Sequence, residues 1–216
     1  MTSTLPHHHV PRSPIAWGNQ PADPAGWTWD ALPALPSFIL ADGSGLARQQ
    51  TLTRVCHDAR SLYVRFDCDD RDIWGTCTRR DEPIYEEEVV ELFISPGAAT
   101  PVRYYEFEVN PNGALLDAMI YNPTSERAEL VVDLSWDCPA LRWETGRDDL
   151  VGRWWTILII PWLALAPTDD LPTTWRANFY RIERPRDVEA EFSCWSPTMT
   201  HPADFHKPAY FGTLLL

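Results

Sequence analysis

The sequence predicts an all-β fold, a β-sandwich of the jelly-roll or immunoglobulin-like two-sheet kind behind a Pro-rich N-terminal arm. Three observations carry this. Short segments rich in β-branched and aromatic residues recur along the chain, bounded by Pro, Gly, Asn and Asp. No apolar repeat of helical period is sustained anywhere in the 216 residues. Seven of the 20 prolines fall within residues 1–36, a density that excludes a regular helix or a central strand there.

Residues 1–36 read as an extended arm, with Trp17, Trp27 and Trp29 as the rings that pin it to the body. His7, His8 and His9 read as a flexible polar leader. Residues 37–216 form the sandwich domain. "TLTRVCHD" (51–58) and "SLYVRFDCDD" (61–70) are its first two strands, with "HDARS" as the turn between them. "VVELFIS" (89–95) follows, then "VRYYEFEVN" (102–110), which "PNG" turns directly into "ALLDAMIYN" (114–122) as a hairpin. "LRWETG" (141–146), "RWWTILIIPW" (153–162), "WRANFYRIER" (175–184) and "YFGTLLL" (210–216) complete the set, and "PWLALAP" (161–167) has room for one helical turn.

A chain of this length buries about 70% of its unfolded surface, and 44% hydrophobic residues are enough to fill one core. The 11 tryptophans exceed what packing alone requires, so some are candidates for stacking platforms. A formal net charge of -13 repels phosphate backbones and anionic lipid, which argues against nucleic-acid and membrane partners. The five cysteines are odd in number and lack C-x-x-C spacing. They read as free thiols, and with no apolar leader segment at the start the expected location is the cytoplasm. No pattern here encodes an oligomeric state.

The stretch "PIYEEEVVELFISP" (83–96) raises the functional question. On a strand, alternate residues face opposite sides. Val90, Leu92 and Ile94 share one face; Val89, Glu91 and Phe93 share the other. In "YYEFEVN" the same rule separates Tyr105, Phe107 and Val109 from Glu106, Glu108 and Asn110. In "RANFYRIER" it separates Ala177, Phe179, Arg181 and Glu183 from Asn178 and Tyr180. A carboxylate between apolar neighbours must have partners or water. Either Glu91 pairs with Arg181 or Arg176 inside the sandwich, or the polar face is a shallow site whose acids and amides accept hydrogen bonds from hydroxyl groups.

The ordered series "LYVRFDCDD", "EEEVVELFISP", "YYEFEVNPNG", "WWTILIIPW", "WRANFYRIE", "CWSP" and "FHKPAYFGTL" resembles the family 9 carbohydrate-binding modules and their stand-alone relatives, within a DOMON-like group of sandwiches. The resemblance runs from about Leu52 to Leu216. It implies a non-catalytic module that holds a mono- or oligosaccharide end between two aromatic rings. On that resemblance the rings are Tyr85 and Phe205, and Glu91 is the hydrogen-bonding acid. Glu106, Asn178, Arg181 and His206 are carried along as their neighbours. Two departures stand out: the ring positions carry Tyr and Phe where sugar-binding members have Trp, and Glu106 and Glu108 occupy a strand where those members place an arginine.

Family resemblance also implies loop-stabilising calcium. "DCDDRD" (67–72) offers four acids in six positions, with Asp69, Asp70 and Asp72 as the candidate ligands. The same run also reads, and more simply, as a solvated acidic turn after a strand. Two other functions stay open at this point: an interaction or scaffold domain that keeps the fold without the sugar, and a hydrolase using Glu91 and Glu106 as its carboxylate pair.

Overall fold

The computed structural model describes residues 4–13, 26–167 and 170–216. Trp17 and the prolines at 14, 21 and 24 lie outside the described residues. Among the described residues, thirteen strands form two sheets. The smaller sheet has the order β3 (Thr51–His57), β4 (Ser61–Asp69), β10 (Arg153–Pro161), β9 (Arg142–Asp148), all antiparallel. The larger sheet runs β1 (His7–His9), β13 (Gly212–Leu215), β11 (Thr174–Glu183), β5 (Val89–Pro96), β6 (Arg103–Val109), β7 (Leu115–Tyr121), β8 (Val131–Asp133). On the edge of β11 that carries β13, its C-terminal half pairs instead with β12 (Glu191–Cys194), which in turn pairs with β2 (Ile39–Leu40).

The main core lies between the sheets and follows the period of two. β4 contributes Leu62, Val64 and Phe66, and β10 contributes Trp154, Leu158 and Ile160. Val90, Leu92 and Ile94 of β5, Phe107 and Val109 of β6, and Ala177 and Phe179 of β11 meet them. On the outer side of the small sheet, Trp29 and Leu32 pack on Cys56, Tyr63, Ile157 and Ile159, with Trp27 edge-on to Tyr63 at 5.1 Å. The outer side of the large sheet carries a further apolar layer, Val89, Phe93, Tyr104, Leu116, Ile120, Tyr180, Ile182 and Phe211. This layer positions the site.

The predicted helical turn is α1 (Trp162–Leu165), and the predicted hairpin joins β6 to β7. Gly113 sits in that turn at φ +82°, a left-handed conformation glycine adopts without a Cβ clash. Asn110 closes the turn, its Oδ1 accepting from the backbone N–H groups of Asn112 (3.1 Å) and Ala114 (2.9 Å).

His7–His9 form no flexible leader: they pair in parallel with Thr213–Leu215 as the edge strand β1. The reason is the open edge of β13, whose backbone groups need partners. The Thr213 N–H donates to Pro6 O at 2.9 Å, and the Val10 N–H to Leu215 O at 2.8 Å. Among the described residues no helix is long and apolar enough to cross a membrane.

Candidate functional site

A pocket of about 430 Å³ opens on the outer side of the large sheet. Its floor is Glu91 of β5 with Glu106 and Glu108 of β6. Glu91 and Glu108 are directly opposite in the antiparallel register, and Glu106 follows two residues along the same face. One carboxylate oxygen from each lies within 4.8 Å of the others, and all three residues are at most 5% exposed. Phe93 of β5, Leu116 of β7 and Ile182 of β11 add apolar lining around the acids. The 3-10 turn Ile84–Glu86 brings Tyr85 to the rim, 45% exposed. The far wall is Phe192 of β12 with Ala203, Asp204, Phe205 and His206 from the loop before β13. Arg127 and Arg184 line the mouth.

The electrostatics of the floor follow from burial. Desolvation, then the neighbouring Glu106, holds the Glu91 carboxyl well above the ordinary carboxylate range. Burial, then Glu91 and Glu106, does the same to Glu108. Glu106 is pushed up by burial to about 7, eased by a hydrogen bond with Glu108 and by Arg127 at a distance. Among the described residues no arginine, lysine or histidine nitrogen comes within 4.0 Å of any of the three; Arg127 instead pairs with Asp204 at 3.5 Å. Glu108 Oε2 is shut off from solvent and receives no hydrogen bond. The floor therefore presents carboxyls that act as donors and acceptors near neutral pH, which is the pairing that hydroxyl groups require.

His206 completes the wall as a neutral ring. Its Nδ1 shares a 2.8 Å hydrogen bond with Tyr104 Oη, its carbonyl accepts from Asn122 Nδ2 at 3.0 Å, and burial drives its pKa down to about 3. Phe205 stacks on Tyr180 with centroids 4.3 Å apart and planes at 19°, and meets the edge of Phe192 at 6.0 Å. It is only 8% exposed, so one face is already occupied and little ring remains for a ligand. Tyr85 is the open ring.

Tyr85, Glu91, Glu106, Phe205 and His206 are thus brought together, but Asn178 and Arg181 are not part of the pocket. Asn178 shares the pocket face of β11, yet its amide is spent on Ser196: Nδ2 donates to Ser196 O at 2.7 Å, and the Ser196 N–H donates to Oδ1 at 2.9 Å. Arg181 projects to the opposite face, fully buried, and pairs with Asp70 at 3.1 Å and Glu88 at 3.7 Å. Arg176 donates to the carbonyls of Ala98 and Phe211. Neither arginine meets Glu91, so the registering ion pair does not form.

The acidic run after β4 does not gather into one metal cup either. Asp69 pairs with Arg153 at 2.8 Å, Asp70 with Arg181, and Asp72 with Arg186. Strand alternation and the following turn splay the three carboxylates toward three different cations. The hydrolase reading needs two carboxyls set across a scissile bond from one another. Glu91 and Glu106 instead share one floor, with carboxylate oxygens within 4.8 Å of each other.

Arg127, Arg184, Phe192 and Asp204 were not legible as site residues, because they come from loops and a short strand whose approach to β5 and β6 has no periodic signature. A larger groove of about 620 Å³ on the other sheet holds Trp27 and Trp155. Its charges satisfy one another, with Arg54 to Asp30 at 2.9 Å and Arg65 to Asp67 at 2.7 Å, leaving less polar capacity for a ligand than the acid floor does.

Comparison with known proteins bears on this geometry. Residues 48–216 match the family model described as carbohydrate-binding family 9. An extracellular protein of Arthroderma benhamiae is 29% identical over 174 residues, covering 77% of this chain and 78% of that protein. A candidate carbohydrate-binding protein from Bacteroides uniformis superposes with a TM-score of 0.74 at 21% identity, covering 98% of this chain and 99% of that one. A family 9 carbohydrate-binding module from Caldicellulosiruptor kristjanssonii in complex with cellotriose gives a TM-score of 0.62 at 12% identity, with 98% and 93% of the two chains covered. Its glucose complex gives 0.58 at 14% identity, with 98% and 95% covered. The chain belongs to carbohydrate-binding family 9, a family of non-catalytic modules.

Proposed function

We propose that this protein binds the end of a mono- or oligosaccharide in the pocket above Glu91, Glu106 and Glu108. Tyr85 stacks on the C–H face of a sugar ring, Phe205 and Phe192 form the apolar wall opposite, and the Glu91 carboxyl hydrogen-bonds hydroxyls. One observation carries the reading: an exposed aromatic ring and an acid cluster with no protein cation within 4.0 Å among the described residues share a single pocket of about 430 Å³. Family membership, and the cellotriose and glucose complexes of the Caldicellulosiruptor module, support a saccharide as the ligand class.

Calorimetric titration with glucose and with cellotriose tests it. Saturable binding is expected. Tyr85→Ala removes a stacking contact of about 0.5–1.5 kcal/mol, a loss of roughly 2- to 10-fold in affinity. A flat titration with both sugars, or Tyr85→Ala binding as tightly as the parent, refutes the assignment.

A further inference from the structure

The described residues contain three clusters of three acids whose oxygens converge, and comparing them is informative. Asp70, Glu88 and Glu183 gather around Arg181, which reaches Asp70 at 3.1 Å and Glu88 at 3.7 Å. Asp81, Asp117 and Asp137 gather around Arg80, at 2.6 Å from Asp117, 2.7 Å from Asp137 and 4.0 Å from Asp81. In both, the chain supplies a nitrogen cation to the centre of the cluster. The pocket floor has none within that range among the described residues, since Arg127 stays at the mouth against Asp204. Moreover Glu108, 2% exposed and lining the pocket, leaves Oε2 without a donor. A buried acceptor in that state costs free energy until something donates to it.

We infer that the floor receives a cationic group from the ligand, so that the pocket selects an amino sugar bearing a primary ammonium over the neutral sugar. This rests on the saccharide reading and deepens it. An ammonium has three N–H donors, and the floor offers three carboxyls with converging oxygens within 4.8 Å of one another; an opposite charge at that range favours the ionised form, so a bound ammonium displaces a proton from the floor. Calcium fits less well, because it takes six to eight oxygen ligands and the remaining walls of the pocket are largely apolar. Charge-assisted bonds to a buried carboxylate are about twice as strong as neutral ones, which sets the sign of the preference.

The test compares glucosamine, N-acetylglucosamine and glucose by calorimetry on the full chain at about pH 6, where a primary amine of this class is protonated. Glucosamine is expected to bind at least roughly 10-fold tighter than both neutral sugars, and Glu108→Gln is expected to shrink that gap while glucose still binds. Equal binding of all three sugars overturns the inference and leaves the saccharide reading intact. Binding that requires added calcium chloride, or is lost to EDTA, also overturns it, in favour of a metal at the floor. No binding of any of the three removes the saccharide reading itself. A preference for glucosamine that Glu108→Gln leaves unchanged overturns the assignment to this floor.

Discussion

Replacing Glu106 with Gln should make the protein more stable, and only above a definable pH. Glu106 is 5% exposed, and burial raises its carboxyl from the ordinary 4.5 to about 7. The folded chain therefore holds a proton there that the unfolded chain releases. The associated stability is fully present below about 4.5 and is lost as the pH rises through about 7. At about 1.4 kcal/mol per pH unit, that interval amounts to roughly 3 kcal/mol. Gln is nearly isosteric and has no proton to lose. The two proteins should thus have similar stability near pH 4.5 and differ by about 3 kcal/mol at pH 8 in favour of Glu106→Gln. Glu91 and Glu108 reinforce the effect, since each is pushed up in part by its acidic neighbours. Guanidinium denaturation followed by tryptophan fluorescence, at several pH values across that range, measures the difference directly. A constant offset between the two proteins over the whole window refutes the claim that this carboxyl is held protonated by burial.

Other outcomes follow from the same geometry. Tyr85→Ala should leave the melting temperature nearly unchanged because the ring is 45% exposed, whereas Phe205→Ala should cost about 3 kcal/mol or more through its stack on Tyr180; thermal melts of both variants separate the open ring from the structural one. Arg181→Met should destabilise the fold by about 3–5 kcal/mol by leaving Asp70 and Glu88 in the core without their cation, as read from denaturation midpoints. Gly212→Ala should cost about 1–3 kcal/mol and loosen the β1 edge, because an added Cβ would meet the Trp195 ring at 2.4 Å and Pro6 O at 2.8 Å; faster exchange of the Thr213 and Val10 amides, whose bonds close that edge, would report it.

The strands whose alternation runs for six residues or more were legible, and so was the face on which each side chain lies. The period of two grouped Glu91 with Val89 and Phe93, and Glu106 with Glu108 and Asn110, but left open whether those faces look into the sandwich or out of it. The strands β1, β2, β8 and β12 were not legible: each has only two to four residues, too few to display a period, and none was marked by a longer apolar run of the kind that flagged the equally short β13 in "YFGTLLL". Their positions depend on the edges that β13, β11 and β7 leave open, and for β2 on the edge of β12. The acidic run after β4 misled for a related reason: closeness in sequence says nothing about where successive side chains point once the strand ends.

What the chain determined by itself, then, is an all-β sandwich in which several strands carry an apolar face and an opposite face that mixes acids with apolar residues. Local stereochemistry is sufficient for that, since alternation needs no partner. The tertiary structure alone decided that Glu91 stands opposite Glu108, that Arg181 goes to Asp70 instead of the floor, and that loops from distant parts of the chain wall the acids in. Those outcomes depend on register and on long-range packing, which set the burial, and burial is what turns three ordinary glutamates into a site.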